Sequence, residues 1–246
     1  MKKNLGFIIS SIFFMVLMIN MASSSVEVFS NYNTFLKINS NNTIEINKSL
    51  TLKNVYDVGI VPGQIEFKIG KGTEGSVNKI KLEDIKAYDS FGNEIKTQVR
   101  ETNEYSTIIL DVFYPLLPGF EYDFNLYYSL SYESGGIFFK SLQIPLREST
   151  IPIEKGNFRV QLPENYHFTF LSSDGVNSSI EGDIATWKIK KDLPKEVNFE
   201  YSYLPISVGN IKGSYFFWIT INIILLLILI YEIKREIKRI RKEYGE

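Results

Sequence analysis

From Phe35 to Leu204 apolar and polar positions alternate with a period of two, the spacing that sends one face of an extended strand into a core and the other into water. The longest case is Phe120–Tyr132. Phe120, Tyr122, Phe124, Leu126, Tyr128, Leu130 and Tyr132 share one parity there, against Glu121, Asp123, Asn125, Tyr127, Ser129 and Ser131. The same period runs through Ile44, Ile46, Leu50 and Leu52, through Ile65, Phe67 and Ile69, and through Ile108, Leu110, Val112 and Tyr114. It returns at Phe158, Val160 and Leu162 and at Val197, Phe199, Tyr201 and Tyr203. No stretch of this region carries a three-turn amphipathic period, so about eleven or twelve strands and an all-β, antiparallel sandwich class are predicted.

Two long, mostly apolar runs flank the alternating region. Lys2 and Lys3 precede an apolar stretch from Leu5 to Ile19, followed by Ala22 and serines. This layout predicts a signal peptide over residues 1–24, cleaved before Ser25. Met18, Ile19 and Met21 lengthen the run towards spanning length, which leaves an uncleaved anchor as the alternative. The second run, Tyr215–Tyr231, holds no charged residue. At about 1.5 Å per residue it predicts a single C-terminal transmembrane helix, with Tyr215, Phe216, Phe217 and Trp218 at one interface and Tyr231 at the other.

Turn chemistry divides what lies between. Asp89–Asn93 and Glu133–Gly136 read as hairpin tips, since glycine supplies the positive φ of tight turns. Pro145 and Pro152 bracket the polar stretch 147–150, which reads as a boundary between a sandwich over 26–146 and a smaller β-domain over 152–206. The smaller piece either packs on the larger one or extends it. Residues 207–214 read as a juxtamembrane linker, and 232–246 as a basic tail in which Ile233, Ile237, Ile240 and Tyr244 continue the helical spacing.

Charge sharpens the topology. The chain of 246 residues has a net charge of −1, yet residues 25–212 hold 19 basic and 24 acidic side chains. Lys234, Arg235, Lys238, Arg239, Arg241 and Lys242 crowd behind the second apolar run. By the positive-inside rule that cluster stays in the cytoplasm, which puts the acidic domain outside the cell membrane in a single-pass arrangement. The cluster also suits anionic lipid headgroups, so the bilayer is an expected partner. Asn222, inside the apolar run, is a candidate contact to another membrane helix. An acidic domain lacks the basic footprint of nucleic-acid binding.

Candidate chemistry is sparse. There is no Cys, and His167 is the one imidazole, placed on the polar parity of Tyr166–Phe170. Thiol nucleophiles, cysteine-containing zinc sites and multi-histidine centres are therefore excluded, and no cofactor, catalytic residue or metal ligand is expected. Glu83 with Asp84, or Glu121 with Asp123, would be the acids of an exported glycan hydrolase, the alternative function. Asp174, Asn177 and Asp183 offer oxygen ligands without the spacing of a dedicated calcium loop. Asn41, Asn47 and Asn177 head N-x-S/T sequons. Tyr127, Phe113 and Phe139 are aromatic on the outward parity, where they would mark a contact between the two sandwiches or a partner surface.

The order Leu50–Asn54, Gln64–Ile69, the Asp89-x-x-Gly92-Asn93 turn, Leu117-Pro118-Gly119-Phe120, Val160-Gln161-Leu162-Pro163 and a late Trp187 resembles the lumenal β-sandwich domains of ribophorin-like proteins. The outline is also similar to prokaryotic membrane-anchored β-sandwich ectodomains. The resemblance implies a non-catalytic, membrane-anchored ectodomain. The charge layout, the alternating strands and the sparse chemistry point to a protein that acts by binding, as a cell-surface structural module or an accessory subunit of a membrane complex.

Overall fold

A computed structural model describes residues 26–71, 80–132, 136–145, 148–172, 178–190, 196–204, 206 and 211–244. Among the described residues thirteen strands are arranged in three sheets. A seven-stranded sheet has the order β11 (Ser178–Glu181), β12 (Ile184–Lys190), β9 (Lys155–Gln161), β1 (Glu27–Ile38), β2 (Thr43–Asn54), β7 (Glu121–Tyr132), β4 (Ile80–Asp89). Two three-stranded sheets follow the orders β10 (His167–Leu171), β13 (Glu196–Ser202), β8 (Phe139–Pro145) and β3 (Gly63–Gly70), β6 (Tyr105–Val112), β5 (Thr97–Glu101). Every pairing is antiparallel except β1 with β9.

The small sheets face the large one across a single core. Phe29 on β1 lies 6.3 Å from Phe67 on β3, and Trp187 on β12 lies 6.2 Å from Phe199 on β13. The period-two residues carry this contact: Ile44, Ile46, Leu50 and Leu52 of β2, and Phe124, Leu126, Tyr128, Leu130 and Tyr132 of β7, are all buried. On β1 the parity slips once, from Phe29 to Tyr32, because a bulge at Ser30 inserts one residue. Phe120 falls outside β7 and is exposed, so the buried face of that strand starts later than the alternation suggests.

Residues 152–206 extend the sheets built by residues 26–146. β9 pairs with β1, β13 pairs with β8, and one cluster of buried side chains runs through both pieces. The Asp89 turn forms as expected, with Oδ1 accepting from the amides of Phe91 and Asn93 and Gly92 at φ +84°. The expected hairpin at 133–136 does not. β7 and β8 belong to different sheets, so the chain changes layer there, with 133–135 outside the described residues.

One helix, α1 (Gly213–Glu243), closes the chain, 31 residues and about 46 Å long. It runs without a break from the apolar segment into the basic tail. Residues 213–242 meet the length and composition of a membrane span, with a mean hydropathy of 2.4 in the most apolar stretch, none of it buried against the domain.

Candidate functional site

Strand β7 orients the molecule. Its C-terminal residue Tyr132 meets Tyr201 hydroxyl to hydroxyl at 2.5 Å, beside Glu200, which touches α1. Its N-terminal end lies about 35–40 Å away along the sheet. At that far end two loops, 55–62 and 113–120, are tied together by one amide.

Asn54, the last inward residue of β2, is fully buried and bonded on all sides. Its Nδ2 donates to the carbonyls of Val58 and Leu116, both at 2.9 Å, and its Oδ1 accepts from the amide of Tyr56 at 2.8 Å. Its backbone N–H donates to Phe120 and its carbonyl accepts from Gly119. Ile60 and Leu116 add a backbone bridge between the loops. Loops held this firmly still turn Tyr56, Val58, Val61, Phe113, Leu117 and Phe120 outward, each about half exposed or more. Scattered surface apolar residues are ordinary, whereas these six stand on two adjoining loops pinned by one buried side chain. Phe113, on the outward parity of its stretch, belongs to this group, and Tyr127 is also exposed, on the outer face of the seven-stranded sheet. Phe139 packs on Phe217 of α1 at 5.6 Å.

The near end joins domain to helix. Glu200 is buried and its carboxylate accepts from Thr169 Oγ1 at 2.6 Å, from the Ser214 amide at 3.2 Å and from Ser214 Oγ at 2.5 Å. A carboxylate from β13 thus satisfies an amide of the first turn of α1 and meets the positive end of its dipole. Gly213 allows the approach, since a Cβ there would stand 2.9 Å from Thr169 Cβ.

In the core, Lys48 on β2 and Glu148 form an ion pair of 3.0 Å. Lys48 Nζ also donates to Tyr32 and Thr34, and Tyr128 donates its hydroxyl to Glu148. Glu148 lies at the meeting of the two small sheets, three residues beyond β8, with its carbonyl accepting from Lys68 of β3. Burial alone would depress the Lys48 ammonium, but the Glu148 charge and the Tyr32 hydroxyl more than offset it and hold it above the usual lysine range. This network is fully internal and fixes the two layers to each other.

Each acid considered for hydrolysis is engaged by a neighbouring side chain. Glu121 pairs with Lys53 at 3.7 Å and Asp123 accepts from Thr51 at 2.6 Å on the outer face of the sheet. Glu83 pairs with Lys81 at 2.8 Å, and Asp84 accepts from Ser129. His167 is exposed, and Asp183 accepts from Gln161. Among the described residues no group of three or more His, Asp or Glu side chains could hold a metal ion.

Asn41 is exposed in the β1–β2 turn, its Oδ1 accepting from Thr43 Oγ1 of its own sequon, while Asn47 is half-buried in mid-sheet. Asn177, with Asp174, lies outside the described residues. Within α1, Asn222 donates to the Trp218 carbonyl at 2.8 Å, and Arg235 and Arg239 of the basic cluster pair with Glu232 and Glu236 one turn back. Lys234, Lys238, Arg241 and Lys242 are exposed along the same helix.

No protein-family model matches the chain. An uncharacterised protein of Methanocaldococcus jannaschii is 28% identical over 133 residues, which cover 54% of this chain and 92% of that protein. Among solved structures, a candidate nutrient-binding protein of Legionella pneumophila superposes with a TM-score of 0.51 at 10% identity, over 72% of this chain and 67% of that one. An M1 zinc metallopeptidase of Deinococcus radiodurans gives 0.41 at 11% identity, over 73% of this chain and 43% of that one. These structural likenesses concern the fold alone, and none bears on the ribophorin-like resemblance. The chain joins a β-rich, sandwich-like domain to one C-terminal apolar helix, an arrangement that fits a membrane-anchored module.

Proposed function

We propose that this protein is a single-pass, non-catalytic binding module of the cell membrane, an accessory subunit or surface structural element. Its β-domain stands outside, its basic tail lies in the cytoplasm, and its partner is a membrane-associated protein engaged through the apolar loops at the end of the domain away from α1. The observation that carries this reading is the pair of loops locked by Asn54 with their apolar side chains turned to solvent. Ordering such side chains against water is unfavourable unless another surface covers them. The outside position is supported by the charge asymmetry about α1, acidic before it and basic after it.

The test is co-purification after mild detergent extraction, comparing the wild type with Val58→Glu/Phe120→Glu. The wild type is expected to carry a stoichiometric protein partner, lost in the variant while the near-UV signature of buried Trp187 is kept. Recovery of the wild type as a bare monomer, or retention of the partner by the variant, would overturn the assignment.

A further inference from the structure

The near end of the domain carries a second apolar surface, and its position relative to α1 says what covers it. Ile137 and Phe138 form a short tip between β7 and β8. Ile137 is 84% exposed, and Phe138 also keeps much of its surface in solvent. The tip is built. Gly136 takes φ +86° where a Cβ would stand 2.2 Å from the Phe139 carbonyl oxygen, and the buried Ser202 hydroxyl donates to the Phe138 carbonyl at 2.6 Å. Phe138 meets Phe217 of α1 at 5.5 Å and Tyr203 at 6.1 Å, and Tyr203 meets Tyr166 at 6.3 Å. An aromatic chain therefore leads from the domain onto the helix.

Phe217 sets the depth. It lies about 6 Å along the helix from Gly213 and belongs to the uncharged run 215–231. A ring packed on Phe217 shares its level, at the boundary between headgroups and acyl chains, where aromatic side chains of membrane proteins concentrate. The junction holds this level firmly, because Glu200 binds the first turn of α1 and Gly213 sits against Thr169 and Phe139. Lys212 lies 6.0 Å above the Phe170 ring and Lys140 5.7 Å above that of Tyr166, two ammonium groups beside the same tip and suited to lipid phosphates.

We infer that the Ile137–Phe138 tip inserts into the leaflet that holds the N-terminal half of α1, so that the domain rests on the bilayer at a second point besides its helix. The occupant of this surface is the lipid at the headgroup and acyl boundary. This rests on the membrane-anchored reading of α1, and it adds that the domain is seated in a fixed pose instead of swinging on a linker.

The chain has no cysteine, so a single introduced thiol is a unique label. The full-length Ile137→Cys variant is labelled with an environment-sensitive fluorophore and reconstituted into phosphatidylcholine–phosphatidylglycerol vesicles containing lipids with a nitroxide high on the acyl chain. Phe91→Cys is the control. Phe91 is equally exposed at 84%, but lies beyond the Asp89 end of β4, which pairs with Phe124 at the far end of β7. Tyr203→Cys provides a second reporter should Ile137→Cys lose the near-UV signal of Trp187. The expected result is quenching of about twofold or more at position 137 or 203 with little at position 91. Trp218 in α1 is quenched in every variant if the helix spans the bilayer. Quenching of Trp218 with none at either reporter would overturn the insertion and leave the anchor standing, while loss of Trp218 quenching would overturn both.

Discussion

Lys48 Nζ stands 3.0 Å from Glu148 Oε2 with the two side chains only 2% and 5% exposed, so an ion pair lies where strand periodicity calls for an apolar contact. Two charges out of water are tolerated because Tyr32, Thr34 and Tyr128 complete their hydrogen bonds. Losing one partner strands the other. Lys48→Met and Glu148→Gln are each expected to cost about 3–5 kcal/mol, and the double variant less than their sum by at least about 1 kcal/mol. Urea unfolding of the full chain in detergent micelles, followed by the near-UV signal of Trp187, gives the cycle. Additive losses would mean that the pair does not couple the two layers.

The same cluster sets an alkaline limit. Burial, reinforced by the Glu148 charge and opposed by Lys48, pushes the Tyr32 phenol up to about 12, and burial also raises Tyr128 well above the usual range. Groups whose folded pKa exceeds the unfolded value hold more protons in the folded state at high pH. Stability is therefore flat below the unfolded tyrosine pKa of about 10 and falls as pH climbs from there through 12. Tyr32 alone accounts for roughly 2–3 kcal/mol of that fall. Melting temperatures between neutral pH and pH 12 should show a shallower decline for Tyr32→Phe than for wild type. Equal slopes would remove Tyr32 as the source.

Asn222 tests how much a polar residue in the span contributes to association. Its amide donates to Trp218 within its own helix, as Thr220 donates to Phe216. With a donor already engaged, an interhelical bond gains little over the isolated helix. Asn222→Leu is expected to change the monomer–oligomer equilibrium in micelles by less than about threefold, or ~0.6 kcal/mol. Analytical ultracentrifugation measures this, and a tenfold or larger shift would make Asn222 an association residue.

Strand identity was legible because a period of two survives wherever one face meets a core, as along β2 and β7. Pairing was not. Nothing local tells β8 to leave its neighbour β7 for β13, or β9 to lie parallel to β1, since those choices are made by how apolar faces close over each other. The polar residues that organise the fold were hidden by the same rule. Lys48 interrupts an inward series between Ile46 and Leu50, and Asn54 ends it. Each breach of parity was a signal, but its partners, Glu148 for one and Val58 and Leu116 for the other, are distant in sequence. Glu200 gave no such sign, because it stands on the polar parity between Phe199 and Tyr201. Its meaning depends on Ser214, which alternation alone reads as linker.

The contact between Glu200 and Ser214 separates a docked helix from a tethered one. If α1 is held by the domain, Gly213→Ala must push against three neighbours, Thr169 Cβ at 2.9 Å, Phe139 Cε1 at 3.0 Å and Glu200 Oε1 at 3.3 Å. Crowding of this kind costs about 1–3 kcal/mol. Gly70→Ala is the matched control, because a Cβ at Gly70 meets nothing within 4 Å. It is expected to stay within about 0.5 kcal/mol of wild type. Glu200→Ala leaves the Ser214 amide and the Ser214 and Thr169 hydroxyls without their acceptor, at a cost of about 2–4 kcal/mol, whereas Glu200→Gln keeps an oxygen in place and should lose less. Hydrogen exchange at the Ser214 amide reads the junction directly. It should quicken at least about tenfold in Glu200→Ala, with amides of the seven-stranded sheet unchanged. Exchange at Ser214 that is already fast in the wild type, together with a neutral Gly213→Ala, would mean that the domain hangs from α1 without being seated on it.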